Sequence, residues 1–169
     1  MNTRIYHTVS GNRTRGFTLV EVVIAGALMS AMFLLSTQSL FHGKRSASLD
    51  QTASGVVMDL REQQIRAMQG TVPSPGSVVD YSARFESDRY ILYPGSVYDS
   101  TNTQNKVMLL DPSMQFTGIT FPGNTVTFAR GSGVVRGYIP GSNTVVLTET
   151  GLGKASTLEI NEAGVIFVR

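Results

Sequence analysis

Few residues in this chain are able to do catalytic chemistry. There is no cysteine, and the only histidines are His7 and His42. Thiolate nucleophiles, disulfides and cysteine-bound metals are therefore excluded, and only these two histidines are available for histidine-based catalysis. His42 stands close to Lys44 and Arg45, a setting typical of a residue that faces water or lipid head groups. Because no nucleophile, base and orienting acid come together, the sequence predicts a protein that is not an enzyme.

Glu21 is the most informative charged residue. It is the single charge between Phe17 and Phe41, in a stretch that is otherwise apolar or small. An ionised carboxylate in apolar surroundings costs on the order of 3 kcal/mol, so it needs a partner. If the chain is cut after Gly16, the new α-amine of Phe17 lies one helical turn from Glu21, at the positive end of the helix dipole. This amine can belong to the same subunit or to a neighbouring one, and the sequence leaves both pairings open.

Two weaker motifs lie further along the chain. The segment GLGKAS at residues 151–156 has a faint likeness to a phosphate-binding loop. Its first glycine is misplaced and it leads into a predicted strand, so we interpret it as a hairpin turn. Asp99, Asn102 and Asn105 offer oxygen ligands for Ca²⁺, but a solvated polar loop explains them better. The sequence therefore predicts no metal and no cofactor.

The hydrophobic pattern indicates the element that positions Glu21. Residues 17–41 are predicted to cross a membrane as a helix, because about 37 Å of helix exceeds a hydrocarbon core of about 30 Å. An amphipathic pattern continues to residue 69, and Gly70 and Pro73 are expected to end it. The apolar stripe of this second part consists of Leu49, Ala53, Val56, Val57, Leu60, Ala67 and Met68. We therefore predict one assembly helix over residues 17–69.

Small residues recur along the first half of this predicted helix. Gly26 and Ser30 stand four residues apart, and so do Ala27 and Ala31. This spacing lets neighbouring helices approach closely. We predict these four positions as helix-packing residues.

The residues before Phe17 are polar and basic. Arg4, Arg13 and Arg15 lie there, which favours a cytoplasmic N-terminus and an external body in a single-pass membrane protein. An uncleaved signal anchor and a conventional signal peptide are the alternatives. Removing these three arginines from the 14 Lys and Arg residues leaves eleven against 12 acidic residues. The remaining chain is then nearly neutral, so an overall positive field for nucleic acid is not supported.

Residues 70–169 have the pattern of a β-rich head. Ser87 and Asp88 favour a hairpin between the first two runs. Short alternating or β-branched runs predict strands at residues 81–86, 89–93, 106–110, 114–121, 125–129, 134–139, 144–149, 157–160 and 165–168. The predicted fold class is α+β: a long N-terminal helix, with a transmembrane half and an amphipathic half, packed on an antiparallel β-sheet or small β-sandwich.

The sequence RGFTLVE at residues 15–21 resembles the class III signal of type IV prepilins and type II secretion pseudopilins. It combines a glycine, an aromatic residue, Thr-Leu-Val and a glutamate with an apolar run and a short basic leader. The resemblance implies that a prepilin peptidase removes a leader of residues 1–16 by cutting between Gly16 and Phe17. It further implies N-methylation of Phe17 and an assembly role for Glu21. The implied partners are other pilin or pseudopilin subunits, the prepilin peptidase and methyltransferase, an inner-membrane assembly platform and the lipid bilayer.

A second, looser resemblance lies in the head. YILYPG at residues 90–95 and LEINEAGVI at residues 158–166 are similar to the GspH/FimT group of minor pseudopilins. That group implies a β-rich head at or near a filament tip. Some of its members bind DNA through a Gly-Arg-x-Arg motif near the C-terminus. The matching residues, 164–167, contain no arginine, so DNA binding by that route is not supported.

The sequence thus predicts a structural minor pilin or pseudopilin subunit of a type IV pilus or type II secretion filament. One alternative is a binding module at a filament tip, for DNA during uptake or for a secreted substrate. The other is a plain single-pass envelope protein, which leaves Gly16 and Glu21 without an explanation.

Overall fold

The computed structural model of the chain describes residues 16–70 and 79–169, and the side chains of residues 35–43 are not among the described parts. The predicted basic leader at residues 1–15, the predicted loop at residues 73–76 and the side chain of His42 therefore lie outside it. The chain divides into two compact units, Met1–Leu40 and Phe41–Arg169.

One α-helix, α1, covers Leu19–Gln69 and contributes to both units. The Thr18 hydroxyl oxygen accepts a hydrogen bond from the backbone N–H of Glu21 at 3.3 Å. A threonine followed three residues later by a glutamate is the capping-box pattern, which explains why the helix begins here. At the other end, Gly70 adopts a φ of 62°, a left-handed conformation that is common just after a helix.

The membrane-spanning part of the predicted fold class is wrong. Within residues 16–70 and 79–169, no helix is both long enough and apolar enough to cross a membrane. The predicted α+β arrangement with a transmembrane half at residues 17–41 is therefore corrected.

In the second unit, one face of α1 is buried in the core of the head. The buried residues recur every three or four positions and are Leu49, Ala53, Val56, Val57, Leu60, Gln63 and Ala67. Met68, predicted to belong to the same stripe, is 51% exposed. Burying a Leu or Val side chain stabilises a fold by roughly 1.5–3 kcal/mol, so this face holds the helix against the sheets.

The head contains two four-stranded antiparallel sheets. The strands are β1 (Tyr81–Phe85), β2 (Arg89–Pro94), β3 (Lys106–Leu109), β4 (Met114–Thr117), β5 (Thr125–Phe128), β6 (Thr144–Glu149), β7 (Lys154–Ile160) and β8 (Ile166–Val168). The first sheet has the order β3-β2-β1-β5, and the second has the order β4-β6-β7-β8. A single 3₁₀ turn of the described chain, Pro122–Asn124, precedes β5.

Both predicted hairpin turns are confirmed. β1 and β2 pair antiparallel, and the Glu86 N–H donates to the Arg89 carbonyl at 2.9 Å, which closes the turn at Ser87 and Asp88. β6 and β7 also pair antiparallel, with Glu149 opposite Lys154. The segment GLGKAS is therefore a hairpin turn followed by the first residues of β7.

The strand predicted at residues 134–139 is wrong. This segment makes a single bridge, between Val135 and Phe128 of β5. Gly133 and Gly137, which lie two residues before and after the bridging Val135, have φ values of 70° and 66°. Backbone turns at both glycines prevent the segment from continuing along β5, and the alternation of its side chains carries no sign of these turns.

α1 and both sheets contribute to one buried core in the second unit. Its centre is aromatic: the ring of Phe85, which has no exposed surface, lies 5.3 Å from Phe116 and 6.0 Å from Phe121. The Tyr90 hydroxyl donates to Asp59 Oδ2 at 2.5 Å and joins β2 to α1. Burial of the phenol is the larger cause, and the bond to Asp59 the smaller one, of a pKa of Tyr90 that lies well above its ordinary value.

A glutamine on α1 links the helix to two distant turns. Gln64 Nε2 donates to the carbonyls of Gly133 and Ala163, each at 3.0 Å. A Cβ atom at Gly164 would lie 2.8 Å from the Gly133 carbonyl oxygen, and the φ of this residue is 78°, so the turn requires glycine. One side chain therefore fixes three parts of the head that are far apart in the sequence.

Candidate functional site

The first unit presents a large exposed apolar surface. Every described residue from 16 to 34 is exposed. The large apolar side chains of this surface, each at least 54% exposed, are Phe17, Leu19, Val20, Val22, Val23, Ile24, Leu28, Met29, Met32, Phe33 and Leu34. Soluble single proteins rarely expose a continuous apolar surface of this extent, so it marks an interaction site. We call residues 17–34 the apolar segment.

These apolar side chains surround the helix. At 100° per residue, Leu19, Val20 and Met32 point in three well-separated directions around the axis, about 100° to 140° apart. A helix that is apolar on all sides is normally buried on all sides. A single partner surface covers one face, so the apolar segment is covered only by surroundings that enclose the whole helix.

The predicted cleavage position lies just before this segment. Gly16 and Phe17 precede the first residue of α1, and both are exposed, Phe17 at 81%. A Cβ atom at Gly16 would meet no heavy atom within 4 Å. The described fold therefore gives no steric reason for a glycine at position 16.

Glu21 occupies the first turn of α1 and is exposed. Its backbone N–H bonds to Thr18, as described above, and its carboxylate has no ion pair or hydrogen bond to any of the described residues. An acid in the first turn is favourable to the helix dipole, which gives Glu21 a role in starting α1. At this exposed position the carboxylate is able to pair with a positively charged group of another chain.

The predicted helix-packing residues lie on the exposed surface of the apolar segment. Ser30 Oγ donates to the Gly26 carbonyl at 2.8 Å, so this hydroxyl is already satisfied within the helix. Ala27 and Ala31 are exposed, and a Cβ atom at Gly26 would meet nothing within 4 Å. Glycine inside a helix destabilises it by about 1 kcal/mol relative to alanine, and nothing in the described subunit compensates for this at Gly26.

If residues 17–34 pack against neighbouring helices, as the resemblance implies, Gly26→Leu should leave the isolated chain folded but lower its recovery in filaments about tenfold, because a bulky side chain separates close-packed helices. The measurement is the fraction of the subunit that is recovered in sheared filaments. Gly55→Leu is the matched control, since a Cβ atom at Gly55 of the same helix also meets nothing within 4 Å. Equal behaviour of the two variants would contradict a packing role for Gly26.

A buried carboxylate in the head has no counterpart in the sequence predictions. Glu149 is 1% exposed, and its Oε2 accepts the Leu152 N–H at 2.5 Å. Its Oε1 lies 3.9 Å from Nη1 of Arg45 and has no hydrogen-bond partner in the described part of the chain. A Cβ atom at Gly151 would collide with the Arg45 guanidinium, so glycine is needed for this approach. The signal was available in the alternation of β6, which places Glu149 in phase with the buried Val145 and Leu147.

The other polar motifs of the head are engaged within it. The Asp99 carboxylate accepts bonds from the Thr101 hydroxyl at 2.7 Å and the Thr101 N–H at 2.8 Å, and these bonds lower its pKa. Asn105 Nδ2 donates to the Asp99 carbonyl at 2.7 Å. No cluster of three acids or histidines able to hold a metal occurs in residues 16–70 and 79–169. At the C-terminus, Arg169 pairs with Glu159 at 3.1 Å.

Comparison with protein-family models, with curated proteins and with solved structures found no match for this chain.

Proposed function

We propose that this chain is a structural subunit of a filament of the type IV pilus or type II secretion class, in the role of a minor pilin or pseudopilin. A prepilin peptidase removes the leader after Gly16, and the new N-terminal residue, Phe17, is methylated. The subunit is held at the inner membrane with its assembly platform and then joins other subunits through the apolar segment.

The exposed apolar surface on all sides of residues 17–34 is the observation that carries this proposal. Burying each large apolar side chain stabilises an assembly by roughly 1.5–3 kcal/mol. The core of a helical filament supplies neighbours on every side, as such a helix requires. Glu21 adds the polar contact that gives this otherwise non-directional attraction a defined register, because the α-amine freed at Phe17 of a neighbour is its natural partner.

A DNA-binding tip module receives less support from the head. Arg136 is engaged by Asp80 in a two-point pair with distances of 2.9 and 3.0 Å, and Arg169 is engaged by Glu159. Phosphate binding needs cations that are free to leave their present partners. We therefore keep the structural subunit as the proposed function.

The processing step has a direct test. The full chain is produced in cells with and without a prepilin peptidase, and its intact mass and N-terminal sequence are measured. We expect a chain that begins at methylated Phe17 only when the peptidase is present. A chain that still begins at Met1 in the presence of an active peptidase would contradict the proposal.

A glycine pair separates recognition of the cleavage bond from folding. A Cβ atom meets nothing within 4 Å at Gly16 or at Gly26, so a valine at either position should leave the fold intact. Gly16→Val should block cleavage, because it changes the residue next to the bond that is cut, whereas Gly26→Val should leave cleavage unchanged. Cleavage of the Gly16→Val chain at the wild-type rate would count against peptidase recognition at this site.

A further inference from the structure

A cavity of about 220 Å³ lies beside β5, the last strand in the order β3-β2-β1-β5. Its lining comes from Thr125 and Thr127 of this strand, from the 3₁₀ turn before it, from Ser96 and from the segment 135–142. Val126 and Phe128 belong to the core, so the alternating threonines stand on the outer face of the sheet. Water occupies about 30 Å³ in the liquid, so the cavity has room for one small molecule, equal to about seven waters.

A chain of hydroxyl groups fixes the hydrogen-bonding role of Thr127. The Ser82 hydroxyl donates its only proton to the Gly95 carbonyl at 2.6 Å, because a carbonyl oxygen only accepts. The Ser82 and Thr127 hydroxyl oxygens lie 2.9 Å apart, so Thr127 must be the donor in this second bond. Its one proton is then used, and its oxygen accepts no bond from the described residues. Thr127, which is 8% exposed, is therefore left with acceptor capacity only.

Thr125 has the same role two residues earlier on the same face of β5. Its hydroxyl donates to the Gly123 carbonyl at 3.1 Å, and its oxygen accepts no bond from the described part of the chain. Both threonines line the cavity. A ligand that satisfies them must bring hydroxyl or amino groups that donate, whereas an anion mainly accepts and fits this pair poorly.

Arg136 supplies a donor to the cavity without supplying a net charge. Its Nε and Nη2 bond the Asp80 carboxylate at 2.9 and 3.0 Å, and its Nη1 has no partner among the described residues. Burial alone would raise the pKa of Asp80, but the bonds from the Arg136 side chain and the Arg130 N–H outweigh it and lower the pKa. Asp80 is therefore ionised at neutral pH and neutralises Arg136.

Tyr138 adds an aromatic ring to the lining. Its hydroxyl accepts a bond from Asn143 Nδ2 at 3.4 Å, and the side chain packs partly against the core. These contacts hold the ring in position. An aromatic ring beside a few polar groups is the usual lining of a site for a small molecule that has both apolar and polar surfaces.

We propose that this cavity binds a single neutral sugar ring. The hydroxyl groups of a sugar donate to Thr125 and Thr127 and accept from Arg136, and the C–H face of the ring packs on Tyr138. No charge is required of the ligand, since Asp80 neutralises Arg136. One ring in a cavity open to solvent binds weakly, with a Kd on the order of 1 mM. This binding does not depend on the filament role of the chain.

Saturation-transfer NMR on the full-length chain tests the proposal. The apolar segment is covered by a polyoxyethylene detergent, because a detergent with a sugar head group would compete for the cavity. The probes are glucose, galactose, mannose and N-acetylglucosamine, each as the free sugar and as its methyl glycosides. We expect saturation of the ring protons of at least one sugar, and the methyl glycosides distinguish a residue of a glycan from a free sugar.

The substitution Thr127→Val should lower the affinity for that sugar about tenfold, because it removes the buried acceptor and keeps nearly the same shape. Thr117→Val is the matched control. The Thr117 hydroxyl also pairs with a threonine hydroxyl, that of Thr148 at 2.9 Å, but it lies in the other sheet and does not line the cavity. Thr125→Val at the less buried position should have the same effect as Thr127→Val, and circular dichroism checks that each variant is folded.

Three results would overturn the proposal. The first is the absence of saturation transfer to every sugar of the panel at the highest soluble concentration. The second is an equal affinity of the Thr125→Val and Thr117→Val chains for the sugar. The third is tighter binding of inorganic phosphate than of any sugar. None of these results bears on cleavage after Gly16 or on filament incorporation, so the proposed function stands or fails separately.

Discussion

Glu21→Gln is expected to lower incorporation of this subunit into filaments at least about tenfold while leaving cleavage after Gly16 unchanged. Glutamine serves as well as glutamate at the third helical position of a capping box, so α1 should still begin at Leu19. The substitution removes only the negative charge. If that charge neutralises the α-amine of a neighbouring Phe17, its loss leaves an unpaired cation inside the filament core.

The measurement compares the fraction of mature subunit in sheared filaments with the fraction left in membranes. Glu62→Gln is the control, because Glu62 lies on the same helix and pairs with Arg66 at 2.6 Å on an exposed surface. Such surface pairs contribute roughly 0.3–0.5 kcal/mol, so incorporation should not change. Incorporation of Glu21→Gln at the wild-type level would contradict a role of this charge in assembly and would leave Glu21 only its role in starting the helix.

Phe85→Ala is expected to destabilise the head by about 3–5 kcal/mol. The Phe85 side chain has no exposed surface, and its ring contacts Phe116, Phe121 and Tyr90. Removing it leaves a cavity among rings that β-sheet geometry holds in place, so the neighbours cannot fill the space. The free energy of unfolding is measured by denaturant titration of the full chain, followed by circular dichroism.

The control for this core substitution is Phe167→Ala in the edge strand β8. Phe167 is 46% exposed, so it loses much less buried surface, and a change below about 1 kcal/mol is expected. Similar losses for the two variants would contradict the assignment of the aromatic cluster as the centre of the core.

Local pattern was sufficient to predict most of the strands. In β6, residues alternate between half-buried and buried along Thr144–Glu149, and this period of two is visible in the sequence. Glu149 was the difficult residue, since a carboxylate suggests a solvent-facing position even when it falls in the buried phase. The nearby cation is Arg45, at 3.9 Å, which lies on another element and is remote in sequence.

Long-range pairing could not be predicted in the same way. β5 pairs with β1 rather than with either strand next to it in the chain, and this choice divides the head into two sheets. The open side of β3 follows from that strand order and is invisible in its own four residues. At residues 134–139 the pattern predicted a strand, but positive φ values at Gly133 and Gly137 turn the backbone away.

The candidate site also has a part that the local sequence predicted and a part that it did not. The motif at residues 15–21 located Gly16, Phe17 and Glu21 at one exposed helix start, because the signal is local. The prediction of a membrane span was wrong, since no helix within residues 16–70 and 79–169 is both long enough and apolar enough to cross a membrane. The chemical roles of the three residues remain predictions until cleavage and incorporation are measured.

The bonds from Gln64 to Gly133 and Ala163 join residues 69 and 99 positions apart. During synthesis on the ribosome, Gln64 is therefore made long before Gly133 and Ala163. These two bonds form only after residue 163 has been translated, and such long-range closure is slow. Apolar surface of α1 that is still uncovered in the nascent chain is prone to aggregation, which is the situation that chaperones relieve.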